Sequence, residues 1–365
     1  MSVRHAACRA SLMIATSLEQ RARPPSPPGP GEAGVPVLDG TAPIDARSLA
    51  EARHRRWCNV RRVLLVRLDG VAGVLASTAA FAALHETMPW TQRTLLAAPE
   101  ALALRPHLQA VDEVLTFNAP WTADGAAALN AEPSTMRGDA EMHLVRKLRR
   151  SHFDAAVLFA ASSQAALPAA LLCRMAGIPL TLAQVREPAH GLLSDELLGE
   201  DTAQDDTRRQ LDLVAHVGMR TADERPRLRL LPKDSHQMRN ALQQAGLRFG
   251  QRYLLVCPGG GGPRYCPVAA YAAAVDVLID TWADDTAVVL CARPGDEAAL
   301  AELRAAMPAR GQVLPPVASI GELAALAADA RVMIAADDLP LTIAAAARVP
   351  AVLPGQALRR EATFS

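Results

Sequence analysis

The chain has 365 residues, of which 38 are basic and 38 acidic, and half are apolar while only 4% are aromatic. That length accommodates two domains of ordinary size, and the charge balance excludes a global field for nucleic acid or an anionic membrane, so any anionic ligand has to be held by local groups. Six scattered cysteines without a CxxC pair argue against a disulfide framework and a zinc site, and for a reduced, cytoplasmic chain.

No run of about 18 apolar residues occurs, so no membrane-spanning helix is expected. Near the amino end, Ala10-Ser-Leu-Met-Ile-Ala15 is a short apolar stretch followed by Glu19 and Arg21, which reads against export. Residues 23–48 are rich in Pro, Gly and Ala and cannot bury enough surface to order themselves. A disordered leader is therefore expected over residues 1–58.

From Val63 the pattern alternates apolar strands with amphipathic helices. It predicts strands at 63–67, 93–97, 113–117 and 154–159, and helices at 74–88, 141–150, 164–176 and 206–217, with a polar loop over 198–206 and a linker over 226–232. A second block predicts strands at 253–257, 286–291, 313–314, 332–335 and 351–353, with helices at 268–282, 296–306, 319–328 and 340–347. Strand–helix alternation implies parallel sheets covered on both faces. The expected division is an N-terminal Rossmann-like domain over 59–232, a linker and helix over 233–250, and a C-terminal Rossmann-like domain over 251–365. Ligands would bind outside the carboxyl ends of the strands.

The sharpest local signal is Leu254-Leu-Val-Cys-Pro-Gly-Gly-Gly-Gly-Pro-Arg264, an apolar run ending in Gly259, Gly260, Gly261 and Gly262 before a helix. Glycines at a strand end let backbone N–H groups approach an anion, and the next helix turns its positive end to the same spot. The stretch matches neither the GxxxxGK[ST] loop nor GxGxxG, so on its own it names no nucleotide.

Several segments together resemble glycosyltransferase family 9, the heptosyltransferase-like enzymes of lipopolysaccharide assembly. Val63-Leu-Leu-Val-Arg-Leu-Asp-Gly-Val-Ala-Gly-Val74 is similar to the family's opening strand and Arg-Leu-Asp-Asn-Ile-Gly-Asp, Val111-Asp-Glu-Val-Leu115 to its VDEV strand, and Leu148-Arg-Arg-Ser-His-Phe-Asp154 to its LRxxxFD entry. Arg209-Gln-Leu-Asp-Leu-Val-Ala-His-Val-Gly218 resembles the helix that closes the first lobe. Val256-Cys-Pro-Gly-Gly260 resembles the HPG turn, and Ala336-Asp-Asp-Leu-Pro-Leu-Thr-Ile-Ala-Ala-Ala346 the NDTGPxHLAAA segment. The resemblance spans about residues 62–354.

It implies a GT-B-like fold, two Rossmann-like parallel-sheet domains facing a cleft, with the C-terminal domain reading as truncated after Pro354-Gly355. The implied activity is inverting, metal-independent transfer of a heptose-like sugar from a nucleotide-diphosphate donor to a lipopolysaccharide-type or other glycan or glycolipid acceptor, with no cofactor. A monomer in peripheral contact with the inner membrane, without nucleic acid, is the implied partner set. In such chemistry a first-lobe carboxylate deprotonates the acceptor hydroxyl, while N–H groups, a cation and a helix end in the second lobe hold the departing diphosphate.

The departures from the family pattern are specific. Its Gly-Asp pair falls on Ala72-Gly73, leaving Asp69, four residues earlier, either as the base or as a turn residue. Its Asp-Thr-Gly becomes Asp337-Asp338-Leu339, and its His becomes Thr342. Arg264 stands where the family has lysine, as a phosphate ligand or a solvated helix-start residue. Asp296 or Glu297 resembles the ribose-contacting acid, although acids in a first helical turn are favoured by the dipole anyway. Arg186-Glu187 reads as acceptor recognition or as a structural ion pair, and Arg146-Lys147-Leu148-Arg149-Arg150 as an anionic-headgroup contact or a solvated helix face. The donor set is thus Gly259–Gly262, Arg264, Glu297, Asp337 and Asp338. The competing expectation is a degenerate relative that binds nucleotide or acts as a scaffold without transfer; a sugar-nucleotide epimerase is a third.

Overall fold

A computed structural model describes residues 46–122, 138–161, 164–199, 205–259, 266–282, 286–307 and 311–354. Two all-parallel sheets organise the chain. The first is built from β1 (Arg62–Arg67), β2 (Gln92–Ala97), β3 (Glu113–Thr116), β4 (Ala155–Leu158), β5 (Leu180–Val185) and β6 (Asp195–Leu198), in the order β3-β2-β1-β4-β5-β6. The second contains β7 (Tyr253–Cys257), β8 (Ala287–Leu290), β9 (Gln312–Val313), β10 (Val332–Ala335) and β11 (Ala351–Val352), in the order β11-β10-β7-β8-β9.

The continuous apolar runs make physical sense as strands buried on both faces. In β1, Val63 and Leu65 enter one core while Leu64 and Val66 enter the opposite one. In β7, Tyr253, Leu255 and Cys257 face one core, and Leu254 and Val256 the other. A period of two thus divides each run between two helical layers. Register is fixed along both central strands, Leu65 opposite Leu95 and Val157, Leu255 opposite Met333 and Val289.

In each sheet the strand order reverses beside the first strand of its block, between β1 and β4 and between β7 and β10. These reversals open a crevice at the carboxyl ends of the strands, where α/β sheets hold ligands. The helices α1 (Ala46–Cys58), α2 (Val71–Ala76), α3 (Thr78–Thr87), α4 (Asp139–Ser151), α5 (Leu167–Ala176) and α6 (Asp206–Ala215) belong to the first lobe. After α7 (Pro232–Gln244), the second lobe adds α8 (Val268–Thr281), α9 (Glu297–Ala306), α10 (Ile320–Asp329) and α11 (Asp338–Ala347). The two sheets lie in one compact unit. Leu75 of α2 is fully buried in the second lobe's core with Met238, Leu242 and Ile343, and α2 packs on α11.

The structure departs from the sequence reading in four places. The leader is not disordered through residue 58: residues 46–58 are helical, because Trp57 is fully buried and its indole N–H donates to Asp195 at 3.0 Å. Residues 1–45 lie outside the described residues. The helix expected over 74–88 is two helices divided at Ser77, whose hydroxyl donates to the Gly73 carbonyl. Strands β5 and β6 were not anticipated. The edge strand β6 begins with an acid, and Asp195 is tolerated at 5% exposure because Arg53, Arg56, Trp57 and Ser194 all reach its carboxylate.

Candidate functional site

In the first lobe, β1 delivers Arg67, Leu68 and Asp69 to the crevice, and Gly70 turns the chain into α2 with φ +93°. That is left-handed backbone, which glycine adopts without a Cβ clash. Arg67 is 1% exposed, and a guanidinium so deep needs its donors satisfied. It forks onto Asp69 through Nε and Nη2, donates to Asp206 through Nη2 at 2.7 Å, and reaches Ser77 Oγ at 3.3 Å. The two carboxylates hold the Arg67 guanidinium above its ordinary range against the opposing pull of burial.

Gly73 lies directly against this network. A Cβ built there would sit 2.6 Å from Asp69 Oδ1 and 2.7 Å from Arg67 Nε. The Asp69 carboxylate therefore occupies the space that a side chain at position 73 would enter. A carboxylate at 73 and Asp69 in its present rotamer exclude one another.

The network continues into a cavity. Asp206, at the start of α6, also accepts from Gln210 Nε2 at 2.8 Å and Arg209 Nη2 at 3.1 Å, and both side chains bond the Ala160 carbonyl at the end of β4. Arg209 and Gln210 line a cavity of about 500 Å³ whose other polar residues include Gln164, Gln184, Arg186 and Glu187. The predicted acceptor residues Arg186 and Glu187 thus share one cavity at the carboxyl ends of β4 and β5, one ion-pair chain away from Asp69.

In the second lobe, Asp337 lies at the end of β10 and pairs with Arg293, which follows β8. Arg293 also meets Asp296 at 2.9 Å. Gly259, after β7, lies directly against Asp337, since a Cβ there would run into its carboxyl. Its N–H is directed at the Tyr271 hydroxyl, 3.5 Å away, and Tyr271, its phenol pushed up to about 12 chiefly by burial, stays neutral. Behind Gly259, the thiols of Cys257 and Cys291 lie 2.9 Å apart. Their hydrogen bond, with burial, drives the Cys257 thiol upward, so it supplies no charge where the resemblance expects histidine.

Of the predicted donor residues, Asp337 and Gly259 therefore meet at one crevice. Asp338 opens α11 next to them, exposed, and its carbonyl accepts from the Thr342 hydroxyl at 2.7 Å. Glu297 turns back to accept the Gly295 N–H at 2.9 Å, the behaviour of an acid in a first helical turn. Gly260, Gly261, Gly262 and Arg264 lie outside the described residues. Sequence reasoning missed Arg293 as the cation of this crevice. Only its place just after a predicted strand could have drawn attention to it.

Comparison with known proteins settles the ancestry. The sequence model of glycosyltransferase family 9 (heptosyltransferase) matches residues 142–353, more than half of the chain. The chain belongs to glycosyltransferase family 9. No curated relative matches the sequence. Among solved structures, the family 9 glycosyl transferase from Veillonella parvula DSM 2008 is similar with a TM-score of 0.63 at 14% identity, covering 80% of each chain. The ADP-heptose lps heptosyltransferase II of E. coli is similar at 0.58 and 22% identity, over 80% of this chain and 83% of that one. E. coli heptosyltransferase WaaC with ADP-2-deoxy-2-fluoro heptose gives 0.55 at 15%, over 80% and 87%. At these identities the likeness is one of fold: this family 9 chain has the two-lobed arrangement of Rossmann-like sheets expected from its sequence. Among its described residues no helix is long and apolar enough to cross a membrane.

Proposed function

We propose that this protein transfers a heptose-like sugar from a nucleotide-diphosphate donor to a glycan or glycolipid acceptor, with inversion and without a metal. The observation that carries the reading is the position of Asp69: its carboxylate stands where a side chain at 73 would begin, and through Arg67 and Asp206 it is joined to the cavity that holds Arg186 and Glu187. The acceptor binds in that cavity. Asp69 accepts the acceptor hydroxyl's proton as its oxygen attacks the anomeric carbon and the bond to the diphosphate breaks. A carboxylate offers about four lone-pair sites, and the Arg67 fork takes two of them.

The leaving diphosphate is received by the Gly259–Gly262 turn, by Arg264 and by Arg293, beside the start of α11. Arg293 pairs with two carboxylates, Asp296 and Asp337, and Asp338 follows Asp337 in the chain. Two cations are therefore needed to make the crevice receptive to a dianion, and Arg264 is the second. The relatives from E. coli are described with ADP and ADP-heptose, which makes the adenosine series the first donors to test.

A second reading has its own observation. The Asp69 side chain is only 10% exposed and is held by a fully buried arginine, as suits a structural ion pair in a family member that binds nucleotide without transferring sugar. Calorimetry with ADP, followed by nucleotide release from ADP-heptose in the presence of a lipid acceptor, separates the two. Transfer predicts release that falls by about 10²–10⁴ in Asp69→Asn with ADP affinity unchanged. Binding without release, the same in both proteins, establishes the second reading.

A further inference from the structure

Two thiols behind the second-lobe crevice have no part in sugar transfer. Cys257 closes β7, and Cys291 directly follows β8. These strands pair in parallel from Tyr253 opposite Ala287 to Val256 opposite Leu290, so the next pair in register is Cys257 with Cys291. The Cys291 N–H carries the ladder on by donating to the Val256 carbonyl at 3.0 Å. Neighbouring strands run about 4.8 Å apart, inside the range of Cα separations that a disulfide bridges. Both side chains enter the same core, where their sulfurs are in contact. No other described cysteine shares that core. Cys173 lies in the first lobe, Cys58 stands beside His54 on α1, and Cys266 packs on the opposite face of the second sheet, its thiol donating to the Pro354 carbonyl at 3.3 Å.

The pair sits where a bond would be felt. Cys257 comes just before Pro258 and Gly259, and Gly259 abuts Asp337. Cys291 comes just before Ala292 and Arg293, the arginine that pairs with Asp337 and Asp296. Joining the sulfurs draws these two strand ends together and shifts both groups, and directional donors lose strength steeply when misaligned.

We propose that Cys257 and Cys291 form a reversible disulfide on exposure to a hydroperoxide, and that this bond weakens nucleotide binding at the crevice. Cys257, 5% exposed against 0% for Cys291, is the thiol an oxidant reaches first. Its sulfur attacks one peroxide oxygen, the O–O bond breaks, and the departing hydroxide takes the thiol proton as water, leaving a sulfenic acid. The Cys291 sulfur then attacks the Cys257 sulfur, and the hydroxyl leaves as water with the Cys291 proton. A thiol reductant reverses the bond by two exchanges. The thiolate is the reactive form, and the mutual hydrogen bond and burial keep Cys257 protonated, so conversion quickens as pH rises. Formation of the disulfide rests on the thiols alone; its effect on nucleotide rests on the transfer reading.

The test treats the full reduced chain with hydrogen peroxide at mildly alkaline pH, digests it without reductant and maps the peptides by mass spectrometry. A linked Cys257–Cys291 pair lacking two hydrogens is expected. The melting temperature should rise by roughly 5–10 °C, since the bond closes a loop between residues 34 positions apart, and ADP affinity should fall about fivefold. Dithiothreitol should restore both values. Cys291→Ala should abolish all three responses, and Cys173→Ala, in the other lobe, should keep them. The mapping uses the wild-type chain, so a poorly folding variant leaves it decisive. Thiols that stay unpaired in the folded chain, or bridges that join other cysteines, overturn the site. A Cys257–Cys291 bridge with ADP binding both forms equally overturns its control of the crevice. A reduced chain that does not bind ADP counts against the transfer reading instead, and the mapping and the melts then decide the disulfide by themselves.

Discussion

The two lobes close their strand-end crevices with the same device, a guanidinium between carboxylates, and differ in how deeply it is set. Arg67 is 1% exposed, and together with Arg209 it balances Asp69 and Asp206, two cations against two anions. Arg293 is 29% exposed and meets Asp296 and Asp337, with Asp338 next in the chain. The first arrangement is neutral and enclosed, so it fixes a carboxylate in place. The second is more open and, among the described residues, carries more carboxylate than cation, so the diphosphate of the proposed reaction would compete for its arginine once another cation joins it.

That contrast has measurable consequences. Arg67→Met leaves the Asp69 carboxylate, 10% exposed, without its arginine and should cost about 3 kcal/mol by denaturant unfolding, while Arg293→Met should cost under about 1 kcal/mol because its partners rehydrate. Equal losses would erase the distinction. Gly73→Ala pushes a Cβ into Asp69 and Arg67, and should destabilise by about 2 kcal/mol despite alanine's better helix propensity. The same melts check it. Arg293→Met should weaken ADP binding about tenfold, the worth of one charge-assisted contact at a partly open site, with Arg67→Met affecting ADP little once folded. Calorimetry on both variants sharpens the division of labour.

The smallest effect concerns α1, which docks on the first lobe. Burial, and then Arg53, lower the His216 imidazole from its ordinary range, while Asp195 opposes them. A depressed folded value means that the neutral form is the stable one, so this contribution is complete above about pH 6.5 and is lost as pH falls below it. The unfolding midpoint should drop modestly between about pH 7 and pH 5, and His216→Gln should flatten that slope.

What the sequence made legible follows from periodicity and chain order. The runs Val63–Val66 and Leu254–Val256 could only be doubly buried strands, and their glycine-bearing ends pointed to the two crevices. The pairings inside those crevices were not legible, because they join residues far apart in the chain: Arg67 with Asp206, Arg293 with Asp337. Residues 46–58 read as leader because their arginines and His54 hide one anchor, Trp57, whose partner Asp195 is remote. Strand β5 was hidden by its polar Thr181 and Gln184, and β6 by its short length and its two acids, Asp195 and Glu196. The role of Gly73 was legible only as a missing carboxylate; that Asp69 fills its space required coordinates.

In the proposed reaction Asp69 supplies the proton-accepting carboxylate in the space left by Gly73. Nucleotide release from ADP-heptose in the presence of a lipid acceptor, measured for Asp69→Ala and for Asp69→Ala combined with Gly73→Asp, tests it most directly. The single variant should lose release, and the double variant should recover a substantial part of it. A single variant that turns over as fast as the wild type would contradict it.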